Sequence, residues 1–581
     1  GPTEQHLEFL RRAQNAPGLP AIERRVKASR FFEKAAEESH DLMTWVGELY
    51  FELHRGTYTS QAADKRSNRE LEFLLRDAEW LASFCPDHPD GYPKEELERA
   101  WKLVLRNQFH DIIPGSSVRE VYLDSSRDYA AAREIGERIV ADRLAWLGNK
   151  LDREGMSLPV ALFHNSVLPS QAELPWDGEE APVALRTAGE KLPVQLVDDF
   201  GDRKLVFSAP FEAAGAVTVG DLVDSAPHFY PRLKAASRRL ENSELSVKFD
   251  GNGNIASIQT LDDEPIEFVA PGKLANVFQI FDDHPLFWDA WDVDVFALET
   301  GRDLLKSESF EVVERGPVRA AVELTKRFGS SFLRQKISLG PTPGIRFDTW
   351  IDWQEDEKML KVAFPLFVLS STAKFEIQFG HVDRTTHRNT SWDLARFEVC
   401  AQKWADLSQA DYGAAVLNTG KYGHDVLGDT LRLTLLRSPK APDPTCDMGV
   451  HRFTYVLLPH YGSLNQSDVV HSAYAVNAPV RVLPLRPGVG ARAELPRLVS
   501  CDDRNVVVET VKRAEDSDRL VVRLYECHGT RGRASLHCVM PARRAWAADL
   551  NERPTESLDV VDGAVVFPFG PFEIVTILLE M

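Results

Sequence analysis

The stretch NQFHDIIPGSS, Asn107–Ser117, sets a histidine beside an aspartate where an apolar helical run stops short of Pro114 and Gly115. An imidazole and a carboxylate can ligate a metal or bind a hydroxylated substrate. A histidine in the last turn of a helix can equally satisfy the final carbonyls, so His110 and Asp111 allow both readings. One histidine cannot make a metal site, because catalytic zinc takes three protein ligands. A second stretch, MTWVGELYFELHRGTYTS, alternates in polarity and reads as part strand. In a strand Glu48, Tyr50, Glu52 and His54 would face one side, which is either an exposed face or a functional one. A third cluster is His387, Asn389, Trp392 and Asp393. An aromatic face stacks on sugar C–H groups and amides or carboxylates pair with hydroxyls, although a loop tied down by its own side chains has the same composition. Trp288, Asp289, Trp291 and Asp292 either line a cleft or pack between domains; packing is favoured.

The elements that must position these groups change character near residue 155. Before it, SNRELEFLLRDAEWLASF puts Leu71, Leu74, Leu75, Ala78 and Leu81 on one helical stripe. KEELERAWKLVLRNQFHD does the same with Leu97, Trp101, Val104, Leu105 and Gln108, with Pro93 near its start. A third, longer helix follows Pro114-Gly115, with Ser116 or Ser117 as its expected N-cap. Three amphipathic helices with short links predict a bundle. After residue 155 the chain reads as alternating apolar strands with turn signals such as Asp250-Gly251-Asn252-Gly253, which predicts antiparallel sandwiches.

At 581 residues the chain exceeds one hydrophobic core and predicts several domains. A net charge of -20 disfavours nucleic acid and anionic membranes, both of which call for a basic surface. Six scattered cysteines form no CxxC pair and no disulfide framework, which fits a reducing, intracellular compartment. No apolar run reaches the length of a membrane span, and the first residues contain no signal-type apolar core. A start at Gly1-Pro2 reads as a piece of a longer chain.

Several long stretches resemble the α-mannosidases of glycoside hydrolase family 38, in particular the cytosolic and bacterial branch. They are residues 45–81, AWKLVLRNQFHDIIPGSSVREVY, DDHPLFWDAWDVD at 282–294, and GHVDRTTHRNTSWDLARFEVCAQKWADLS at 380–408. SPKAPDPTCDMGVHRFTYVLLPH and the closing GPFEIVTILLEM add to the likeness, which runs through the whole chain in order. The sequence departs from the family's usual RPTH and CAHKW with RTTH and CAQKW. The resemblance implies a multidomain α+β protein. Its parts would be the end of an α/β catalytic domain (1–60), a three-helix bundle (61–154), a linking β domain (155–235), a large β-sandwich (236–490) and a C-terminal β-sandwich (491–581).

It also implies retaining hydrolysis of terminal α-mannosides in oligosaccharides, with a nucleophilic aspartate, a second carboxyl as acid and base, and zinc held by two histidines and two aspartates. By this resemblance His110 matches the helix-end zinc histidine and Asp111 its sugar-contacting neighbour. Glu52, and behind it Glu48, are the acid/base candidates. His54, Arg55, His387, Asn389, Trp392 and Asp393 are candidate substrate contacts. The family's other zinc motif, an early His-x-Asp, has no counterpart. His88-Pro89-Asp90 lies in a loop between bundle helices, and the nucleophile-like DDFGD at 198–202 comes after the bundle. The chain is therefore expected to be the C-terminal portion of a cytoplasmic enzyme, supplying one zinc ligand and partnered by an N-terminal catalytic half. The sandwich surfaces suit a homo-oligomer. The alternative is a non-catalytic carbohydrate-binding or scaffold fragment.

Overall fold

The computed structural model describes residues 2–14, 16–18, 27–168, 170–187, 190–209, 215–492, 495 and 497–581. The chain divides into two compact units, Gly1–Tyr50 and Phe51–Met581. The first holds helix α1 (Glu4–Ala13), capped by Thr3, and helix α2 (Ala28–Glu38). Neither helix contains a buried residue.

The strand expected within residues 43–60 is not formed. Gly47 and His54 take positive φ (114° and 74°), which breaks an extended run, and Arg55–Tyr58 close a 3-10 turn. The common face of Glu48, Tyr50, Glu52 and His54 therefore does not exist. The backbone groups that a strand would have paired go to a distant loop: Gly56 N and Thr57 N both donate to Trp291 O.

The second unit opens with the predicted bundle, α3 (Ala62–Ser83), α4 (Lys94–Asn107) and α5 (Arg119–Asn149). Leu71, Leu74, Leu75, Ala78 and Leu81 are buried against Leu97, Ala100 and Val104 of α4 and Tyr129, Ala132 and Ile139 of α5. Leu105, placed on the same stripe by its spacing, points outward. Neither Ser116 nor Ser117 caps α5; Val118 holds that position without a side-chain bond, because both serines are turned back onto Asp111.

α3 is buried nearly all round although it carries many charges, and several of them meet distant parts of the molecule. Arg76 donates to Val508 O and Glu509 O of the C-terminal sheet (3.0 and 2.6 Å), covering the carbonyls of its edge strand. Asp77 pairs with Arg481 at 2.7 Å, and Arg69 reaches Asn477 and Gln402.

The rest is antiparallel β structure, matching the multidomain α+β expectation. A seven-stranded linking sheet contains Pro159–His164 through Ala216–Val223 and gains its edge strand from Arg481–Pro484, which pairs with Pro159–His164. The sequence places residues 481–484 at the end of the large sandwich; their pairing returns them to the linking sheet. A four-stranded sheet spans residues 234–260. Next, a six-stranded and a nine-stranded sheet pack through Phe364 of one against Phe347 and Tyr455 of the other. An eight-stranded C-terminal sheet closes the chain. No described helix is long and apolar enough to cross a membrane, and the six cysteines are free.

Candidate active site

The turn Arg55–Gln61 gathers four loops that are remote in sequence. The first is the 288–292 segment. Arg55 N donates to Asp292 Oδ1 at 3.1 Å, Ser60 Oγ donates to Ala290 O at 3.0 Å, and Gly56 lies so close that a Cβ there would sit 3.1 Å from Ala290 O. The second is Thr386–Arg396: Arg55 Nε donates to Ala395 O at 3.2 Å, and the guanidinium lies 4.6 Å over the Phe397 ring. The third is the 438–447 loop, where Asp443 accepts from Gln61 Nε2 and Asp447 from Ala62 N, both at 2.8 Å.

The fourth loop carries His110 and Asp111. α4 ends at Asn107, so the pair lies beyond the helix, in a turn closed by Ile112 N and Ile113 N on Phe109 O. Gly115 has φ 89°, and a Cβ on it would meet Ser60 O at 2.3 Å, so only glycine permits the approach. Lys65 Nζ ties the two segments by donating to both Ser60 O (2.5 Å) and Ile113 O (2.7 Å).

One fully buried side chain binds the assembly from beneath. Arg437 Nε faces Asp283 at 2.6 Å, its NH1 donates to Ser60 Oγ and Ala290 O (both 3.1 Å), and its NH2 donates to Asp292 O at 2.6 Å. Burial pushes the Asp283 carboxyl above its ordinary range, and Arg437 opposes that rise. Beside it, burial raises Asp64 and Asp447 to about 6 and lowers Lys65 to about 8 and Lys421 to about 7. Sequence reasoning passed over Arg437 and Asp283. Their one signal is a charged residue inside an apolar run, LRLTLLRSP, opposite the Asp-Asp that opens the 282–294 motif.

The expected site residues divide by what their side chains already do. His110 is three-quarters exposed with Nε2 3.2 Å from Asp111 Oδ2, while Asp111 also accepts from Ser116 Oγ at 3.1 Å. Asp393 closes a capping box with Thr390 and accepts from Thr385 Oγ1 at 3.0 Å, bonds that hold its carboxyl below the usual range. His387 Nδ1 stands 3.7 Å from that carboxyl. Asn389 and Trp392 are exposed. Trp288 is exposed at φ 61°, edge-on to Trp291 at 5.7 Å, while Asp289 Oδ2 and Asp292 Oδ1 accept from the backbone N–H groups of Ala441 and Arg55. His54 is half-buried beside Arg55, and Glu52 is exposed just ahead of the turn. Glu48 belongs to the first compact unit.

The donor set does not complete a zinc site. Among the described residues no third His, Cys, Asp or Glu ligand joins His110 and Asp111; the one cluster of three is His88, Asp90 and Asp142. There Asp90 N donates to His88 Nδ1 at 3.2 Å and Nε2 stands 3.3 Å from Asp142, so both ring nitrogens already have protein partners.

Three family descriptions match the chain: the α-mannosidase middle domain over residues 52–147, the glycosyl hydrolases family 38 C-terminal domain over 240–445, and the family 38 C-terminal β-sandwich domain over 505–577. Alpha-mannosidase 2C1 of Mus musculus and of Homo sapiens are each 38% identical across the whole chain. Alpha-mannosidase G of Dictyostelium discoideum is 34% identical over 91% of it. The chain spans 55% of the mouse and human proteins. A crystal structure of an α-mannosidase from Enterococcus faecalis aligns with the whole chain and 74% of its own length, with a TM-score of 0.78 and 19% identity, showing the same fold. The chain belongs to glycosyl hydrolase family 38.

Proposed function

We propose that these residues are the helical and β portion of an α-mannosidase that removes terminal α-mannosides from oligosaccharides with retention of configuration. The observation that carries this reading is that the loops bearing His110-Asp111, Trp288 and His387–Trp392 all attach, through Gly115, Asp292 and Ala395, to the single turn Arg55–Gln61. The names of the relatives support it. Trp288 and Trp392 offer exposed aromatic faces to the C–H side of a sugar ring. Asp111 and Asn389 offer acceptors and donors to its hydroxyls. Asp393 and Asp292 hold the loops in place, and Arg55 joins them.

Retaining hydrolysis needs two carboxyls about 5 Å apart. Glu52 is our candidate for the acid and base; the nucleophile and the remaining ligands of a zinc ion partly held by His110 come from sequence outside these residues. Cytoplasmic location is part of the same proposal.

The test is hydrolysis of p-nitrophenyl α-mannoside with added zinc, by the longer protein and by these residues alone. The longer protein should turn over the substrate, while these residues alone should be inactive and retain no stoichiometric zinc on metal analysis. Full activity of these residues alone would refute the division of the site. Inactivity of both would favour a non-catalytic carbohydrate-binding scaffold.

A further inference from the structure

Two cavities lie side by side along α3. The larger, about 440 Å³, is walled by α3, the linking sheet and the nine-stranded sheet. The smaller, about 390 Å³, shares Arg66, Glu70, Thr419, Arg452 and Phe453 with it and reaches Ala62, directly after the turn of the candidate site. Together they form a groove that leads away from that turn.

The charges lining the larger cavity cancel. Arg66, Arg69, Lys204, Arg346 and Arg452 are matched in number by Glu70, Glu173, Asp199, Asp202 and Asp348, while the smaller cavity adds Arg133 and Lys421. The side chains are held before any ligand arrives. Arg66 donates to Glu70 at 2.6 Å, Lys204 lies 2.9 Å from Asp199, and Arg346 donates to both oxygens of Asp348 at 3.0 and 2.9 Å. Gln171 donates to Glu173 at 2.7 Å, and Thr454 to Asp348 at 2.7 Å.

A carboxylate has about four lone-pair positions and a guanidinium five N–H groups, so these pairs keep unused capacity on both sides. Vicinal hydroxyls, each donor and acceptor at once, match fixed and alternating partners of that kind. An inorganic ion or a purely apolar ligand does not. Phe200, in the left-handed region at φ 59°, adds an aromatic ring to the lining and is itself held by Arg334 at 5.2 Å from its centroid, while Phe453 is buried beneath Lys421. The rim is reachable: the side chains of Arg452 and Asp202, paired with each other, are 39% and 63% exposed.

We propose that this groove is an accessory binding site for a neutral polyhydroxylated chain, namely the part of an α-mannoside oligosaccharide remote from the bond to be cleaved. The choice of mannose as the sugar rests on the activity proposed above; the polyhydroxylated class rests on the groove alone. The test is calorimetric titration of α-linked mannotriose into these 581 residues, with citrate as the competing anion. Mannotriose should bind saturably and citrate should not displace it. Arg452→Met should weaken binding about tenfold, and Asp202→Asn should weaken it in the same direction. Both residues lie at the rim, and an unchanged Tm checks that each variant is folded. In the longer protein, Arg452→Met should slow cleavage of mannotriose but leave p-nitrophenyl α-mannoside turnover unchanged. Absence of saturable binding, displacement by citrate, or wild-type affinity in both variants would overturn the groove. Binding of mannotriose with no p-nitrophenyl α-mannoside hydrolysis by the longer protein would instead overturn the activity and leave the groove standing.

Discussion

At the scale of single residues, Arg437 determines the geometry of the candidate site without facing it. Its NH1 and NH2 groups donate to Ser60, Ala290 and Asp292, its Nε lies 2.6 Å from Asp283, and the side chain is fully buried. Replacing it by methionine leaves Asp283 buried and unpaired, which costs about 3–5 kcal/mol. Urea denaturation of Arg437→Met should show that loss. Part of it should return at acidic pH: the raised Asp283 carboxyl binds its proton more tightly folded than unfolded, so protonation favours the folded variant. A double variant that also carries Asp283→Asn should be less destabilised, since it removes the stranded charge as well. Wild-type stability in Arg437→Met would contradict this account.

At the scale of elements, the apolar periodicity of α3 and α4 was legible because helical spacing reports burial directly: Leu71, Leu74, Leu75, Ala78 and Leu81 all enter the core. The misreadings share one physical cause. The alternation over 43–60 reads as a strand, and Ser116-Ser117 as an N-cap, because local pattern does not show which partners elsewhere, near or far in the chain, claim these groups. Trp291 O claims the N–H groups of Gly56 and Thr57, and Asp111 claims both serines. The likeness to a known family made His110-Asp111 a site candidate and left 288–292 as packing, whereas Arg437, which ties the 288–292 segment to the turn, shows in sequence only as a charge in an apolar strand.

A buried histidine gives the β region a separate test. His424, in strand Gly423–Leu427, is fully buried with Nδ1 3.0 Å from Tyr422 O, and burial lowers its pKa from 6.5 to about 4. A depressed histidine contributes stability that is complete above its unfolded pKa and is lost as pH falls toward the folded value, because the unfolded chain takes up the proton first. Thermal melts should therefore show the margin of wild type over His424→Gln shrinking as pH falls from 6.5 to 4. A constant margin would mean that His424 is not held neutral.

At the scale of the whole molecule, the second unit is closed by long-range returns rather than by a row of independent domains. Arg481–Pro484 supplies an edge strand to a sheet begun at Pro159, and Arg481 neutralises Asp77 inside the bundle. A chain cut after Gly462 should thus lose the near-ultraviolet dichroism of the linking sheet and bundle, while the same cut followed by addition of residues 463–581 in trans should restore it in part. Native dichroism in the cut chain would show that the returns are dispensable.

The same returns set a schedule for synthesis. Gln61 waits for Asp443, 382 positions later, and Ala62 for Asp447, 385 positions later. At ribosomal speeds of about 5–20 residues per second, the turn around which the site is built spends roughly 20–80 s without its partners. During that interval its exposed backbone donors and the buried charges of α3 must be shielded by water, a chaperone or nearby nascent chain, so the candidate site cannot form until most of these residues have been made.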